Sequence, residues 1–430
     1  MNNQNINRKQ APSAGLLQFN GFPDFSETKI NNLIPCYSFE NFNSEVVRLD
    51  IVISTGTWSQ QKPLQASSMA RMMMEGTKKY NAFQIAETID FNGAYIDITA
   101  SNHFTTISIF AVKHILVRLF PLLISIMTES VFPEEEFRVI LANNKQEFII
   151  GNKKVMSIAR RTLPSMLYGE NHPYGKILKE SDFDNISTND LKQLYSQLPL
   201  GNARCYIGGN IDTDVIASLS EMMEQTKNHL ITTDEKNFDI QPSTEKQRNI
   251  EIKDAVQSAI MLGTPDVGRS HPDFPLLMLT NTILGGYFGS RLMKSIREEK
   301  GYTYGISSGI AVRPKASHLS IQTEVKSETT QLALDEIFRE ISRLSSEKVQ
   351  MEELSIARNY IFGSLLRSMD GPFALTERLM TMHAEQLNPK EYFRNYWDTL
   401  AKANPDDIQR MAKKYLNPDE MRVLIVGNKN

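Results

Sequence analysis

One order of secondary-structure patterns occurs twice along this 430-residue sequence. The clearest match is between two closing segments, because residues 204–210 (RCYIGGN) align with residues 422–428 (RVLIVGN). An offset of about 218 residues also places the start of an acidic segment at Pro133 opposite Met351. Self-similarity at a fixed period is typical of a duplicated structural unit. The sequence therefore predicts two domains of the same fold.

Each repeat combines alternating apolar residues, which are typical of strands, with apolar residues at helical spacing. The order in each repeat is a strand, helices, a pair of strands, further helices and a final strand. This order is neither a strict alternation of strands and helices nor all strand. It predicts an α+β fold, in which each domain has a largely antiparallel sheet with helices covering one face.

Composition suggests where the domains begin and end. The polar residues 1–27 predict a flexible leader, because they lack the apolar core of a secretory signal. Residues 28–224 form the first predicted domain and residues 250–430 the second; we call them the first half and the second half. The polar stretch 225–249 between them has the composition of a linker.

The overall composition excludes several classes of protein. With 47 basic and 50 acidic residues, the chain has no excess positive charge for nucleic acid. Cys36 and Cys205 are the only cysteines, which excludes a disulfide scaffold and a cysteine-rich zinc site. The longest apolar run, 114–127, is interrupted by Arg118 and is shorter than the roughly 20 residues that a membrane-spanning helix needs. We therefore expect a cytoplasmic protein without membrane insertion.

Residues 284–306 (LGGYFGSRLMKSIREEKGYTYGI), which we call the signature stretch, carry the two residues of greatest functional interest. The pattern predicts a glycine turn, a helix of about three turns, a stop at Gly301 and then a strand that contains Tyr304. Arg297 falls in the last turn of that helix. An arginine there commonly complements the helix dipole, so a structural role is the local interpretation.

The signature stretch resembles a sequence signature of the pitrilysin/insulinase-type zinc peptidases, the inverzincins of the HxxEH class. The glycine pair 285–286, the run 290–292 (SRL) and the run 296–304 (IREEKGYTY) carry this resemblance. Residues 172–175 (HPYG) and the closing strands extend it over nearly the whole chain. The resemblance implies a metallopeptidase clamshell built from two homologous domains.

The zinc motif of that family is lost here. Active members carry His-x-x-Glu-His shortly before a Gly-Thr; the two histidines bind zinc and the glutamate is the general base. Counting back from residues 76–77 (GT), Ser67 and Arg71 occupy the ligand positions and Ala70 the position of the base. None of these side chains can replace the chemistry, and Arg71 places a permanent positive charge where a cation would lie.

The third zinc ligand of the family matches Glu147. One carboxylate cannot hold a catalytic zinc, so Glu147 is interpreted as a relic, with the hypothesis that it forms an ion pair with Arg71. No two of the seven histidines stand three or four residues apart, so no second zinc site is predicted. The sequence therefore predicts no metal or cofactor in this chain, with zinc expected in a partner subunit.

In this family, an arginine and a tyrosine of the signature face the metal across the substrate chamber and bind the scissile peptide group. The matching residues of this chain are Arg297 and Tyr304. A guanidinium and a phenol hydroxyl are donors suited to a peptide carbonyl and its oxyanion. Small bacterial and organellar members divide the two motifs between chains, and this chain resembles the non-metal subunit, as in mitochondrial processing peptidase.

The resemblance thus predicts a catalytically incomplete subunit of a heterodimeric zinc peptidase that cleaves peptides or unfolded polypeptides. In this interpretation Arg297 and Tyr304 assist the zinc site of a homologous partner. Two alternatives stay open. The chain could be a structural core or scaffold subunit, or it could be a stand-alone peptide-binding protein, in both cases without a role in proteolysis.

Overall fold

The structure, a computed structural model, describes residues 17–31, 33–40, 44–226 and 236–428. Within them the chain forms two β-sheets, one in each half, and helices that cover them. The strands of the first half are β1 (Ser26–Ile30), β2 (Ile34–Phe39), β3 (Val46–Ile53), β4 (Tyr95–Ala100), β5 (Thr105–Val112) and β6 (Arg204–Gly208). Its helices are α1 (Gln65–Met72), α2 (Ala82–Phe91), α3 (Lys113–Glu129), α4 (Glu134–Gly151), α5 (Val155–Tyr168), α6 (Thr188–Ser196) and α7 (Thr213–Glu224).

The second half begins with a strand and ends with one. Its strands are β7 (Gln247–Glu251), β8 (Gln257–Asp266), β9 (Ile306–Val312), β10 (Ser317–Lys326) and β11 (Arg422–Gly427). Its helices are α8 (Phe274–Asn281), α9 (Thr330–Ser346), α10 (Met351–Arg367), α11 (Gly371–Ala384), α12 (Pro389–Lys402) and α13 (Pro405–Tyr415). Two π-helical segments, Thr282–Gly286 and Met293–Glu299, occupy the signature stretch.

The two sheets have the same topology. The first has the strand order β1-β2-β6-β3-β5-β4, and the second has the order β7-β11-β8-β10-β9. In each, the closing strand is parallel to one neighbour (β6 to β2, β11 to β7), while its other neighbour (β3 or β8) is antiparallel to it. The first sheet has β1 as an extra edge strand. The duplication and the α+β class predicted from the sequence are therefore confirmed.

Each sheet packs its own helices on one face and receives one helix of the other half on the opposite face. Helix α5 of the first half lies on β8 and β11, and α11 of the second half lies on β6 and β2. Glycines allow this close packing: a Cβ at Gly263 would lie 3.0 Å from Leu163, and one at Gly208 would lie 2.9 Å from the carbonyl oxygen of Pro372. The halves are thus interlocked through helices in equivalent positions.

The end of the predicted leader is not flexible. Phe22 is 5% exposed and stacks on Phe393 of α12 at 5.4 Å between ring centroids. Phe19 stacks on Trp397 of the same helix at 5.3 Å. Burial of aromatic rings is strongly stabilising. The prediction of a flexible leader over 1–27 is therefore wrong from about Phe19 onward, and residues 1–16 lie outside the described residues.

The predicted linker 225–249 is also partly structured. Strand β7 begins at Gln247, inside it, and residues 236–246 run along the end of α5. The amides of Gln241 and Ser243 donate to the carbonyls of Tyr168 and Met166, at 3.1 and 2.9 Å. Residues 227–235 lie outside the described residues. The polar composition therefore indicated the boundary between the two sheets. It did not indicate the backbone hydrogen bonds that hold this segment against α5.

Candidate functional site

The signature stretch folds as two π-helical segments separated by an irregular turn, instead of the single regular helix that the sequence predicted. In the second segment the amide of Lys300 donates to the carbonyl of Ser295 at 3.1 Å, five residues back. Gly301 has φ of +67°, and the amide of Tyr302 donates to Ile296 at 3.0 Å, which ends the helix. Such π-helical turns occur frequently at functional sites.

Acidic side chains of two neighbouring helices hold the signature stretch in place. Glu336 of α9 is 5% exposed and accepts a hydrogen bond from the Ser295 hydroxyl; it also pairs with Lys300 at 3.7 Å. Arg291 forms a two-bond contact with Glu353 of α10, at 2.8 and 2.9 Å. Because bidentate arginine–carboxylate pairs fix orientation as well as adding energy, the segment that carries Arg297 is rigidly positioned.

Arg297 is partly buried and stacks on an exposed ring. Its guanidinium carbon lies 4.7 Å from the ring centroid of Phe288, which is itself 63% exposed. Among the described residues, no carboxylate forms an ion pair with Arg297. The side chain is therefore a cation next to an exposed aromatic residue, and no described carboxylate occupies its hydrogen-bond donors.

Tyr304 lies in the loop before β9, so its predicted position inside a strand is wrong. The Thr303 hydroxyl donates to the carbonyl of Glu324 at 2.7 Å and accepts from the amide of Gly305 at 3.1 Å. These bonds fix the loop while Tyr304 projects outward, 93% exposed. Its hydroxyl makes no hydrogen bond with the part of the chain that the structure describes.

Tyr304 lines a surface depression of about 250 Å³ together with a residue that the sequence analysis missed, Arg160. Arg160 belongs to α5, which crosses from the first half, and its Nε donates to Gln322 at 2.9 Å. Arg297 does not belong to the lining of this depression. The depression thus combines a phenol of the second half with a guanidinium of the first, and no local sequence pattern at Arg160 indicated this.

The degenerate metal positions lie on α1, and their surroundings do not fit zinc. The Ser67 hydroxyl donates to the carbonyl of Leu64 at 3.2 Å, and Ala70 is 1% exposed in the core of the first half. Arg71 is exposed. No group of three or more His, Cys, Asp or Glu side chains that could hold a metal ion occurs in residues 17–31, 33–40, 44–226 and 236–428.

The hypothesis that Arg71 pairs with Glu147 is not supported by the structure. No ion pair joins these two exposed side chains, both of which belong to the described part of the chain. Arg71 acts instead on Glu75, one turn further along the chain: burial raises the pKa of Glu75, and the positive charge of Arg71 opposes that rise. A partner within one helical turn is the simpler arrangement for an arginine on a helix surface.

A larger cleft of about 930 Å³ opens between the two halves, and neither Arg297 nor Tyr304 lines it. Trp58 and His103 of the first half and His383 of the second contribute to its wall. Next to it, the Tyr168 hydroxyl lies 2.7 Å from Nδ1 of His318. Burial, followed by the charge of Arg313, lowers the pKa of His318 to about 4.

Comparison with known proteins gives a family match over part of the chain. Residues 185–361 match the family described as Peptidase M16 inactive domain. The M16 match crosses from the first half into the second and includes the whole signature stretch, and the resemblance to the zinc peptidases is confirmed.

Two relatives are similar to this chain over most of its length. The "Non-peptidase homolog YmxG" of Helicobacter pylori is 22% identical over 380 residues, 85% of this chain and 84% of that relative. The "Uncharacterized zinc protease YmxG" of Bacillus subtilis is 21% identical over 331 residues, 75% of this chain and 79% of that relative. The names of these two relatives differ in the activity that they imply.

A solved structure shows the same fold. The M16 inactive domain from Pseudomonas fluorescens has a TM-score of 0.83 at 20% identity, and the match covers 95% of this chain and 99% of that one. At this identity the likeness concerns the fold alone. Among the described helices, none combines the length and the apolar character required to cross a membrane.

Proposed function

We propose that this chain is the non-catalytic subunit of a heterodimeric zinc peptidase, with Arg297 and Tyr304 as hydrogen-bond donors to the substrate. The observation that carries the proposal is Tyr304, whose 93% exposed side chain projects from a loop that is otherwise held by hydrogen bonds. An exposed phenol on a fixed backbone is a pre-positioned donor for a group supplied from outside the chain.

The first half supports the same proposal. Ser67, Ala70 and Arg71 offer no set of ligands for a metal, so this chain does not supply a zinc-bound water by itself. A homologous partner with an intact His-x-x-Glu-His would supply the zinc and the general base. In the complex, Tyr304 and Arg297 would donate to the carbonyl of the scissile peptide, where negative charge develops during attack by water.

A structural role is the second candidate, and one contact favours it. The guanidinium of Arg297 already packs on Phe288 at 4.7 Å, as a residue that only joins a helix to a turn would do. On that view the chain is a scaffold subunit or a free-standing peptide-binding protein. The two candidates differ in whether removal of a single hydroxyl at Tyr304 changes the rate of cleavage.

The test begins with co-purification of the partner, which is expected to be a chain of similar length with an intact His-x-x-Glu-His. Cleavage of an unfolded polypeptide is then measured with each chain alone and with the mixture. Only the mixture should cleave. Tyr304→Phe and Arg297→Ala should each lower kcat by about a hundredfold, the usual effect of losing one oxyanion donor.

The matched control is Tyr95→Phe, because Tyr95 is also an exposed tyrosine, at 59%. It should leave kcat unchanged, and all three variants should still co-purify with the partner. If Tyr304→Phe and Arg297→Ala both cleave at the native rate, these residues have no part in the mechanism and the scaffold role is the correct one.

A further inference from the structure

A further open cavity lies in the second half, and neither Arg297 nor Tyr304 lines it. It has a volume of about 390 Å³, and its walls come from α8, β9, α10, α11 and α12; we call it the α8 cavity. Apolar side chains form much of the wall, among them Phe274, Leu365, Met382 and Phe393. A volume of this size is within the range of cavities that bind small molecules.

The charged groups of the α8 cavity are two arginines. Arg269 is neutralised by an ion pair with Glu385, which directly follows α11. Arg378 makes a single hydrogen bond of 3.4 Å, to the backbone carbonyl of Ser368, and no ion pair with any carboxylate of the described residues. Burial lowers the pKa of the Arg378 guanidinium, and the charge of Arg269 acts in the same direction. Arg378 is thus an arginine of the lining that no described carboxylate contacts at ion-pair distance; the charge of the more distant Glu377 acts on its pKa in the opposite direction to burial.

The lining of the α8 cavity also contains a buried side-chain amide. Asn281, at the end of α8, is 3% exposed, and its Nδ2 donates to the carbonyl of Ser308 at 3.4 Å. Its Oδ1 has no hydrogen-bond partner among the described residues. A buried acceptor without a donor is costly, so a ligand with an N–H or O–H group would satisfy it.

Arg378 and Asn281 come from different elements, α11 and the end of α8, and both side chains line the α8 cavity. The ligand is then an anion at one end, an apolar body and a hydrogen-bond donor near the other end.

We propose that the α8 cavity binds the C-terminal carboxylate of a short apolar peptide. Arg378 binds the carboxylate, since a guanidinium matches its geometry with two parallel bonds. A backbone N–H of the peptide donates to Oδ1 of Asn281, and apolar side chains fill the space lined by Phe274, Leu365 and Met382. This site does not depend on the heterodimer proposal, because neither Arg297 nor Tyr304 belongs to it.

The second half holds this cavity where the first half holds its degenerate metal positions. Helix α8 follows β8 as α1 follows β3, and β9 and α10 correspond in order to β4 and α4. The duplicated unit therefore places a helix, an edge strand and a long helix around the same space in each half. In the second half that space contains arginines and an amide, which favour an anionic ligand.

The probes are N-acetyl-trileucine as the free acid, the same peptide as its C-terminal amide, and decanoate, with affinity measured by titration calorimetry on the full chain. The free acid should bind at least about tenfold more tightly than the amide, because only the acid carries a negative charge that can pair with the Arg378 guanidinium. Decanoate has the carboxylate but no N–H, so it should bind more weakly than the free acid.

Two variants locate the site. Arg378→Gln should reduce the preference for acid over amide to within about twofold, whereas Arg394→Gln, at an exposed arginine on α12, should leave it unchanged. The Tm of both variants is measured alongside, so that a loss of preference is taken only from folded protein.

Equal affinity for acid and amide, or no binding of the acid at millimolar concentration, would overturn the proposal. Decanoate binding as tightly as the peptide acid would overturn the assignment of a peptide as the ligand. An equal loss with Arg394→Gln and Arg378→Gln would show that the charge effect is not local to the cavity. Cleavage by the mixture of subunits can succeed or fail independently of these outcomes.

Discussion

At the scale of single residues, buried histidines contribute to the loss of stability in acid. His318 is 6% exposed and has a pKa lowered to about 4 by burial and by Arg313, against about 6.5 in an unfolded chain. As the pH falls, the unfolded state binds the proton first. The free energy of unfolding is therefore unaffected above about pH 7 and decreases between about pH 6.5 and 4, by up to about 3 kcal/mol from this residue.

Urea unfolding at a series of pH values checks this expectation. His318→Asn removes the titrating group but can keep a bond to Tyr168, so its stability should depend less on pH over that range. His114→Asn, at an exposed histidine of α3, is the control and should follow the native curve. His383 also has a pKa lowered to about 4, mainly by burial, so part of the acid sensitivity should remain. Identical pH curves for the native chain and His318→Asn would contradict this account.

At the scale of elements, the signature stretch depends on a buried carboxylate from a neighbouring helix. Glu336 accepts from Ser295 and pairs with Lys300, so its removal leaves the buried Ser295 hydroxyl without its acceptor. Glu336→Ala should lower the free energy of unfolding by about 2 kcal/mol. Glu347→Ala, at an exposed glutamate beyond the end of the same helix, should change it by less than about 0.5 kcal/mol. Equal effects in urea unfolding would show that Glu336 does not support the segment.

The sequence predicted the signature stretch in outline but not in geometry. Gly301 as the helix stop was readable, because a glycine after a periodic helical run commonly adopts positive φ. The π-helical turns could not be predicted, since one extra residue per turn leaves a short apolar pattern almost unchanged. The place of Arg160 beside Tyr304 and the existence of the α8 cavity could not be predicted either. Both depend on contacts between elements that are far apart in the sequence.

At the scale of the whole molecule, the duplicated sheets were predictable and the exchange of α5 and α11 was not. Strand patterns and closing segments repeat along the sequence, so topology follows from the repeat. The apolar face of α5 does not reveal whether it covers the sheet of its own half or the other. This exchange places Arg160 of the first half beside Tyr304 of the second, so the candidate site depends on both halves together.

The central claim is that this chain contributes donors to a zinc site that belongs to another chain. The most direct measurement is the zinc content of the purified chain alone, of its partner and of their equimolar complex, by atomic absorption after exposure to zinc and removal of free metal. We predict no stoichiometric zinc in this chain, and one zinc per heterodimer. Stoichiometric zinc in this chain alone, with proteolysis that a chelator abolishes, would contradict the account.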